Sequence, residues 1–327
     1  MRLMLAPMEG LVDDALRAAL ARIGGYDCAV SEFVRVSASC LPAHVFRRMV
    51  PELDHGSCIH GMPVRVQLLG ADPGLLADNA AVLASLKPAA VDLNFGCPAP
   101  TVNRHGGGAV LLDEPERLYA IACAVRAVLP AALMLTAKMR LGVADTARAL
   151  DCAQALVEGG VAELVVHART RDEAYRPPAH WEWVGRIGEV VRVPVVANGE
   201  VWTVADWARC CGVAGVSDVM LARGAVVDPF LARRIRARGE PHADDEALRA
   251  AEWRELCPVL AGFRDQVMRK VKPGHAAGRI KQWLNLLRRR YAQAELVYQR
   301  IRPLTAMAAI DEVFAAAGVV AGTGRVM

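Results

Sequence analysis

No uninterrupted apolar run among the 327 residues reaches the ~18 needed to cross a bilayer as a helix, so no membrane span is expected. The opening Arg2-Leu3-Met4-Leu5-Ala6-Pro7 has neither the long apolar segment nor the cleavage site of a secretory signal, and a cytoplasmic location is the expectation. Cysteines number nine, which is odd, with no C-x-x-C pair and only Cys210 and Cys211 adjacent. Neither a disulfide framework nor a zinc site is indicated, so reduced thiols and no metal are expected. Two glycine signatures are also missing. No G-x-G-x-x-G follows the first strand, and no Gly-Lys-Ser/Thr closes the cluster Gly106-Gly107-Gly108.

Acidic residues are scarce in one segment. From Arg264 to Arg302 there are eleven Lys or Arg against Asp265 and Glu295, a local +9 in a chain of net charge +4, so the remainder is acidic. A run of this kind is usually a solvated helix face, but here it spans several predicted helices almost without compensation. A polyanionic partner, nucleic acid, is the favoured reading.

What is present in quantity is core: 54% of residues are hydrophobic, enough for a large folded interior. Eight short apolar runs stand at Leu3–Ala6, Cys28–Ser31, Val64–Leu69, Ala90–Leu93, Leu133–Ala137, Glu163–Val166, Pro194–Ala197 and Asp218–Leu221. Segments of helical length follow them, among them Asp13–Ile23, Pro73–Leu86, Pro115–Leu129, Asp145–Glu158 and Val204–Cys211. Pro73 and Pro115 fall where a first helical turn accepts proline. Eight strand–helix units predict a (β/α)8 TIM barrel, with an open doubly wound sheet as runner-up. From Glu240 onward only helical patterns occur: Asp244–Lys272 as one or two helices, Arg279–Arg290, Tyr291–Arg302 and Thr305–Ala317. The expected division is therefore a barrel over 1–240, an all-helical domain over 241–317 and a tail over 318–327.

In such barrels the reacting groups sit at the carboxyl ends of the strands. Those positions hold Pro7-Met8-Glu9, Glu32 and Arg35, Gln67, Asn94 and Cys97, Lys138 and Arg140, His167 and Arg169, Asn198-Gly199-Glu200, and Arg223-Gly224. Cys97 follows its apolar run, between Gly96 and Pro98, where a structural cysteine would lie within the run. Lys138 closes the run Leu133–Ala137 and would be costly to bury without an anion. Gly199, Gly224 and Arg223 stand where barrels commonly hold phosphate. Together these positions read as a phosphate-bearing cofactor with a cationic lysine over its reactive part.

The segments Leu5–Gly10, Val66–Gly70, Asp92–Pro98, Lys138–Gly142, His167–Thr170 and Ala197–Glu200 resemble, in order and spacing, those of the flavin-dependent tRNA dihydrouridine synthases. Glu32–Val36 and Arg279–Leu284 further resemble the bacterial branch that modifies uridine 16 of the D-loop. The resemblance implies an FMN-bearing barrel, a helical tRNA-binding domain, NADPH as reductant and a monomer. Carried onto this chain, Pro7, Met8 and Glu9 would line the flavin, Gln67 and Lys138 would contact its ring, and His167 would neighbour it. Asn198, Gly199, Glu200, Ala222 and Arg223 would hold the ribityl phosphate end, and Cys97 would be the proton donor. Arg35, Asn94, Tyr175, Arg279, Lys281 and Arg302 would contact the tRNA or the target uridine. Ala222 and Ala168 depart from the family's usual glycines, and the extra methyl of Ala222 is expected to crowd the phosphate loop.

The implied chemistry suits these residue types. Hydride addition to C6 of uracil leaves negative charge shared between C5 and O4, and a thiol of reference pKa ~8.5 remains protonated near neutrality to supply C5. Two other readings are a flavin barrel acting on a free pyrimidine, like dihydroorotate dehydrogenases, and a non-catalytic tRNA-binding protein. The basic helices oppose the first, and the set Cys97, Lys138 and Gln67 opposes the second.

Overall fold

The computed structural model describes residues 1–238 and 246–319. The expected boundary at 240/241 and most of the expected tail lie outside these residues.

Eight strands form a closed ring: β1 (Leu3–Leu5), β2 (Cys28–Val30), β3 (Met62–Leu69), β4 (Val91–Phe95), β5 (Leu135–Arg140), β6 (Leu164–His167), β7 (Val195–Asn198) and β8 (Val219–Leu221). Every neighbouring pair is parallel, and β8 pairs with β1 to close the barrel. Parallel neighbours need crossovers, which helices carry. In chain order these are α1 (Asp14–Ile23), α2 (Ala43–Met49), α3 (Pro73–Ser85), α4 (Pro115–Val128), α5 (Ala149–Glu158), α6 (Glu182–Val190) and α7 (Val204–Ala214). Local signals fix their ends. Asp72 accepts from the Leu75 N–H at 2.8 Å ahead of Pro73, and Thr203 and Asp206 form a reciprocal capping box on α7.

The barrel interior is divided by chemistry. Met4, Cys28, Val30, Val165, Val196 and Met220 form a buried apolar cluster on one side. In-phase positions on β3, β4 and β5 carry Arg65, Gln67, Asp92, Asn94, Thr136, Lys138 and Arg140 instead. Paired residues of a parallel sheet face the same way, so the register Asn94↔Lys138↔Val165↔Val196 runs from the polar side into the apolar one. At the amino-terminal end of the barrel, Glu163 accepts from Arg2 and Arg65, both at 2.5 Å, and Arg2 also pairs with Asp218 at 2.7 Å.

Strands β4 to β7 end later than the apolar runs suggested. Each continues through polar residues: Asn94, Lys138 to Arg140, His167 and Asn198. The parallel register continues through these residues, so the first polar residue is not a strand end. Helix α5 starts at Ala149, later than Asp145, and ahead of it Gly142, at φ +149°, brings the chain so close that a Cβ there would lie 2.0 Å from the Asp145 carbonyl.

By compactness the chain forms two units, residues 1–14 with 26–222, and residues 15–25 with 223 onward. The second contains α8 (Arg223–Val227), α9 (Leu231–Ala237), α10 (Glu246–Lys270), α11 (Pro273–Leu287), α12 (Ala292–Ile301) and α13 (Met307–Ala316). Helix α10 runs unbroken through Pro258. Trp283 is fully buried here, edge-on to Phe263 at 4.8 Å, and its indole N–H donates to the Val226 carbonyl at 3.2 Å. In the same unit Asp228 and Glu252 both pair with Arg234 and Arg290, and the Tyr291 hydroxyl donates to Glu252 at 3.0 Å.

Truncating Trp283 removes an anchor of this unit. Trp283→Ala should cost about 3–5 kcal/mol and lower the midpoint of thermal unfolding, whereas Trp283→Phe should retain most of that stability.

Candidate active site

A hydrogen-bonded chain crosses the polar side of the barrel. The Thr136 hydroxyl donates to Asp92 Oδ1 at 2.5 Å, and Gln67 Nε2 donates to Asp92 Oδ2 at 2.7 Å. Asn94 Nδ2 donates to Gln67 Oε1 at 2.7 Å, and Asn94 Oδ1 accepts the backbone N–H groups of Gly96 and Cys97, each at 2.9 Å. Three adjacent strands thus carry a chain of contacts outward to the loop of the cysteine. Asn94 lies inside β4 and Cys97 just beyond it.

That loop is held from several directions. Asn103 Nδ2 donates to the Cys97 carbonyl at 2.9 Å, and the Ala109 N–H donates to the same oxygen at 3.0 Å. Gly108, at φ +70°, packs so closely that a Cβ there would lie 2.7 Å from that carbonyl. Arg140 Nε donates to the Gly96 carbonyl at 2.9 Å, and its Nη1 donates to the carbonyls of Thr170 and Ala174, also at 2.9 Å. The same guanidinium lies 5.4 Å from the ring centroid of Tyr175, which is 51% exposed, and the His167 ring is 6.2 Å from Tyr175.

Cys97 itself is half-buried. Burial pushes its thiol above the usual range; the Ala99 N–H pulls it back, Glu9 adds to the rise, and Arg140 and Arg35 oppose it. Glu9 from the β1 loop, Arg35 from the β2 loop and Arg140 from β5 thus all act electrostatically on this thiol. The first two loops are also tied together, since the Gly10 N–H donates to Glu32 Oε1 at 2.6 Å. Arg35 is exposed, donating to the Thr101 carbonyl at 3.2 Å.

Lys138 has no hydrogen bond or ion pair from its ammonium group among the described residues. Burial pulls its pKa down to about 7, Arg140 acts in the same direction, and Asp92 and Cys97 oppose them. A lysine in this state gains from an anionic ligand that restores its charge.

Across the barrel mouth, Asn198 Nδ2 donates to the Met220 carbonyl at 2.8 Å, and the Trp181 indole donates to the Gly199 carbonyl at 2.9 Å. Gly199, at φ +116°, brings the chain to within 3.0 Å of the His167 ring as measured from a built Cβ. The Glu200 carboxylate pairs with the fully buried Arg169 and accepts from the Trp202 indole at 3.0 Å. Ala222 packs its methyl against the apolar barrel cluster rather than standing out from it.

Pro7, Met8, Glu9, Arg35, Gln67, Asn94, Cys97, Lys138, His167, Tyr175 and Asn198 to Glu200 all lie at or just past the carboxyl ends of the strands or on their loops. Arg223, Arg279, Lys281 and Arg302 belong to the second unit, described by itself. There Arg223 opens α8, and Arg279 lies over Phe263 at 4.9 Å while donating to Gln282 at 3.0 Å. Lys281 Nζ donates to the carbonyls of Arg302, at 3.0 Å, and Leu304, at 2.5 Å, and so braces the turn on which Arg302 is exposed. Sequence reading quoted Asp92 and Gly108 within motifs but gave no role in the site to Asp92, Thr136, Asn103 or Gly108. The alternation Asp92, Asn94 against Val91, Leu93, Phe95 was a usable signal for the first.

Residues 4–301 match the family model described as dihydrouridine synthase (Dus). The chain belongs to the dihydrouridine synthase family. It is thus an enzyme, an oxidoreductase. The tRNA-dihydrouridine(16) synthase of Ralstonia nicotianae is 54% identical over 304 residues, covering 93% of this chain and 92% of that protein. The protein of the same name from Cupriavidus necator is 53% identical over 313 residues, covering 95% and 96%. Among solved structures, histamine dehydrogenase from Rhizobium sp. 4-9 overlays with a TM-score of 0.54 at 14% identity, covering 80% of this chain and 48% of that one. The old yellow enzyme homologue from Zymomonas mobilis overlays with a TM-score of 0.50 at 12% identity, covering 73% and 89%. These last two share the fold.

The site of this dihydrouridine synthase fits a flavin. Lys138 offers a cation without an ionic partner among the described residues, Gln67 retains one amide N–H beyond its bond to Asp92, and Gly199 keeps a turn free of Cβ. A bound anion raises the lysine's pKa above about 7, so binding takes up a proton above that pH and weakens as pH rises through it. Fluorescence titration of FMN between pH 6 and 9 should show this weakening in the native chain. Lys138→Met should bind more weakly and lose the dependence above pH 7.

Proposed function

We propose that this chain reduces the C5–C6 bond of uridine 16 in the D-loop of tRNA, with FMN as resident cofactor and NADPH as reductant. The observation that carries the reading is the placing of one protonated thiol, Cys97, beside Lys138, Gln67 and Asn94 at the carboxyl end of the barrel. Bound there, FMN would supply hydride to C6 of the uracil. Gln67 and Lys138 would contact its ring, with Pro7, Met8, Glu9 and His167 lining it, and the resemblance implies that Asn198, Gly199, Glu200, Ala222 and Arg223 would hold the phosphate end.

The protein's own part is proton delivery. Cys97 Sγ–H gives its proton to C5 as negative charge develops there. A thiol pushed up by burial stays loaded at neutral pH, which suits an acid and not a nucleophile. Arg140 fixes the loop from the Gly96 side, and the same guanidinium ties in the Thr170–Ala174 loop that presents Tyr175. An extruded base needs such a wall. Arg35 and Asn94 complete the contacts at the barrel.

Recognition of the rest of the tRNA falls to the helical domain, residues 241–317, through Arg279 and Arg302. Lys281 acts there largely by bracing the Arg302 turn. Relatives named for position 16 support the choice of uridine.

Cys97→Ala should keep bound FMN and its reduction by NADPH while losing dihydrouridine formation in unmodified tRNA by 10²-fold or more; full activity in that variant would remove the acid role. Arg302→Glu should weaken tRNA binding and reduce the slope of log affinity against log salt by about one, read by filter binding at several salt concentrations.

A further inference from the structure

The loop that carries Cys97 is poor in backbone donors, because Pro98 and Pro100 have no N–H. On the strand side of Cys97 the anchors come from the barrel: Asn94 Oδ1 accepts the N–H groups of Gly96 and Cys97, and Arg140 donates to the Gly96 carbonyl. On the far side a different side chain takes over. Asn103 closes the short helical turn Pro100–Asn103, and its Nδ2 donates to the carbonyls of Cys97 and Ala99, both at 2.9 Å. Its Oδ1 accepts the Val110 N–H at 3.1 Å. A second donor to the Cys97 carbonyl, the Ala109 N–H, comes from the turn Gly108–Asp113, the same turn that Asn103 Oδ1 holds through Val110. The pieces are closely fitted, since a Cβ on Gly108 would lie 2.7 Å from the Cys97 carbonyl oxygen and 3.1 Å from Cys97 Cβ.

We propose that Asn103 is a positioning residue: by tying the carbonyls on both sides of Pro98 to the turn at Val110, it holds the Cys97 thiol where its proton can reach the uracil. An amide carries two N–H donors at one end and an acceptor at the other, and two carbonyls and one N–H use all of it in a single orientation. Asp and Leu have a similar shape and no N–H to give. All three partners of the amide belong to the reacting loop and the turn behind it, so its loss acts on the proton step and leaves cofactor and tRNA contacts in place. The catalytic meaning rests on the acid role of Cys97; the placing of the loop is measured separately.

The test uses the FMN-loaded protein and unmodified tRNA. N103L and N103D should each lower kcat for tRNA reduction about tenfold or more, because a small displacement of a reacting group costs rate. KM for tRNA and the rate of FMN reduction by NADPH should stay within about twofold, a split that a loss of general stability does not produce. Iodoacetamide alkylation resolved by peptide mass spectrometry reads the sulfur itself, with exposed Cys40 as internal reference. The Cys97 rate relative to Cys40 should change roughly threefold or more in both variants. A native kcat, or a lowered kcat with an unchanged Cys97 rate, would overturn the proposal and leave Asn103 as a brace of the turn alone. Should neither variant bind FMN, N103S, which leaves room for water among the same partners, decides by the same two readouts in the same direction. Retained tRNA reduction in Cys97→Ala would remove the acid role and the catalytic meaning with it, and an alkylation ratio still altered in N103L would tell that failure from the others.

Discussion

A carboxylate buried inside a β-barrel, with neutral donors rather than a cation bonded to it, sets the terms for the rest of this structure. Asp92 is desolvated, and burial raises its pKa; the Gln67 and Thr136 hydrogen bonds and the nearby charges of Arg65 and Lys138 oppose that rise. Leaving such a group unsatisfied would cost several kcal/mol. The barrel therefore cannot be filled uniformly with aliphatic side chains. It is aliphatic around β1, β2, β6, β7 and β8 and hydrogen-bonded around β3, β4 and β5. The polar side ends at the one loop that carries a half-buried thiol between glycine and proline.

The same electrostatic setting explains why a lysine and a cysteine coexist without pairing as ions. Burial pulls Lys138 down to about 7 and pushes Cys97 up, so in the absence of a ligand the thiol stays protonated while the lysine stands between its charged and neutral forms near neutral pH. An anion bound above Lys138 changes the first without requiring the second to ionise. A site that must hold electron-rich cofactor chemistry next to a proton donor needs this separation, because a lysine that had already deprotonated the thiol would leave no acid. Arg140 adds to the effect on Lys138 while its hydrogen bonds are spent on three carbonyls, which turns a charge into a brace.

The second unit follows a different logic. Its basic run looks from composition like a uniform phosphate-binding face, but several of its charges have structural duties. Arg264 pairs with Asp311, Arg290 with Asp228 and Glu252, and Lys281 with two backbone carbonyls. Arg302, on the turn that Lys281 braces, remains exposed. A count of charges measures long-range attraction; it does not say which side chains are available at contact distance.

Much of this was legible in the sequence. Eight apolar runs alternating with helical segments determined a closed parallel barrel, because short buried strands leave few other solutions, and the spacing of the motif residues placed Gln67, Cys97, Lys138 and Asn198 at one end of it. Periodicity alone also held Asp92 and Asn94 in phase, although the apolar neighbours Val91 and Leu93 masked them. Tertiary structure alone decided the direction of the amide chain, the turning of the Ala222 methyl into the apolar cluster, the commitment of Glu200 to Arg169 and the bracing by Lys281. Each of these joins residues far apart in the chain, and the sequence fixes which faces are buried long before it shows which distant donor meets which acceptor.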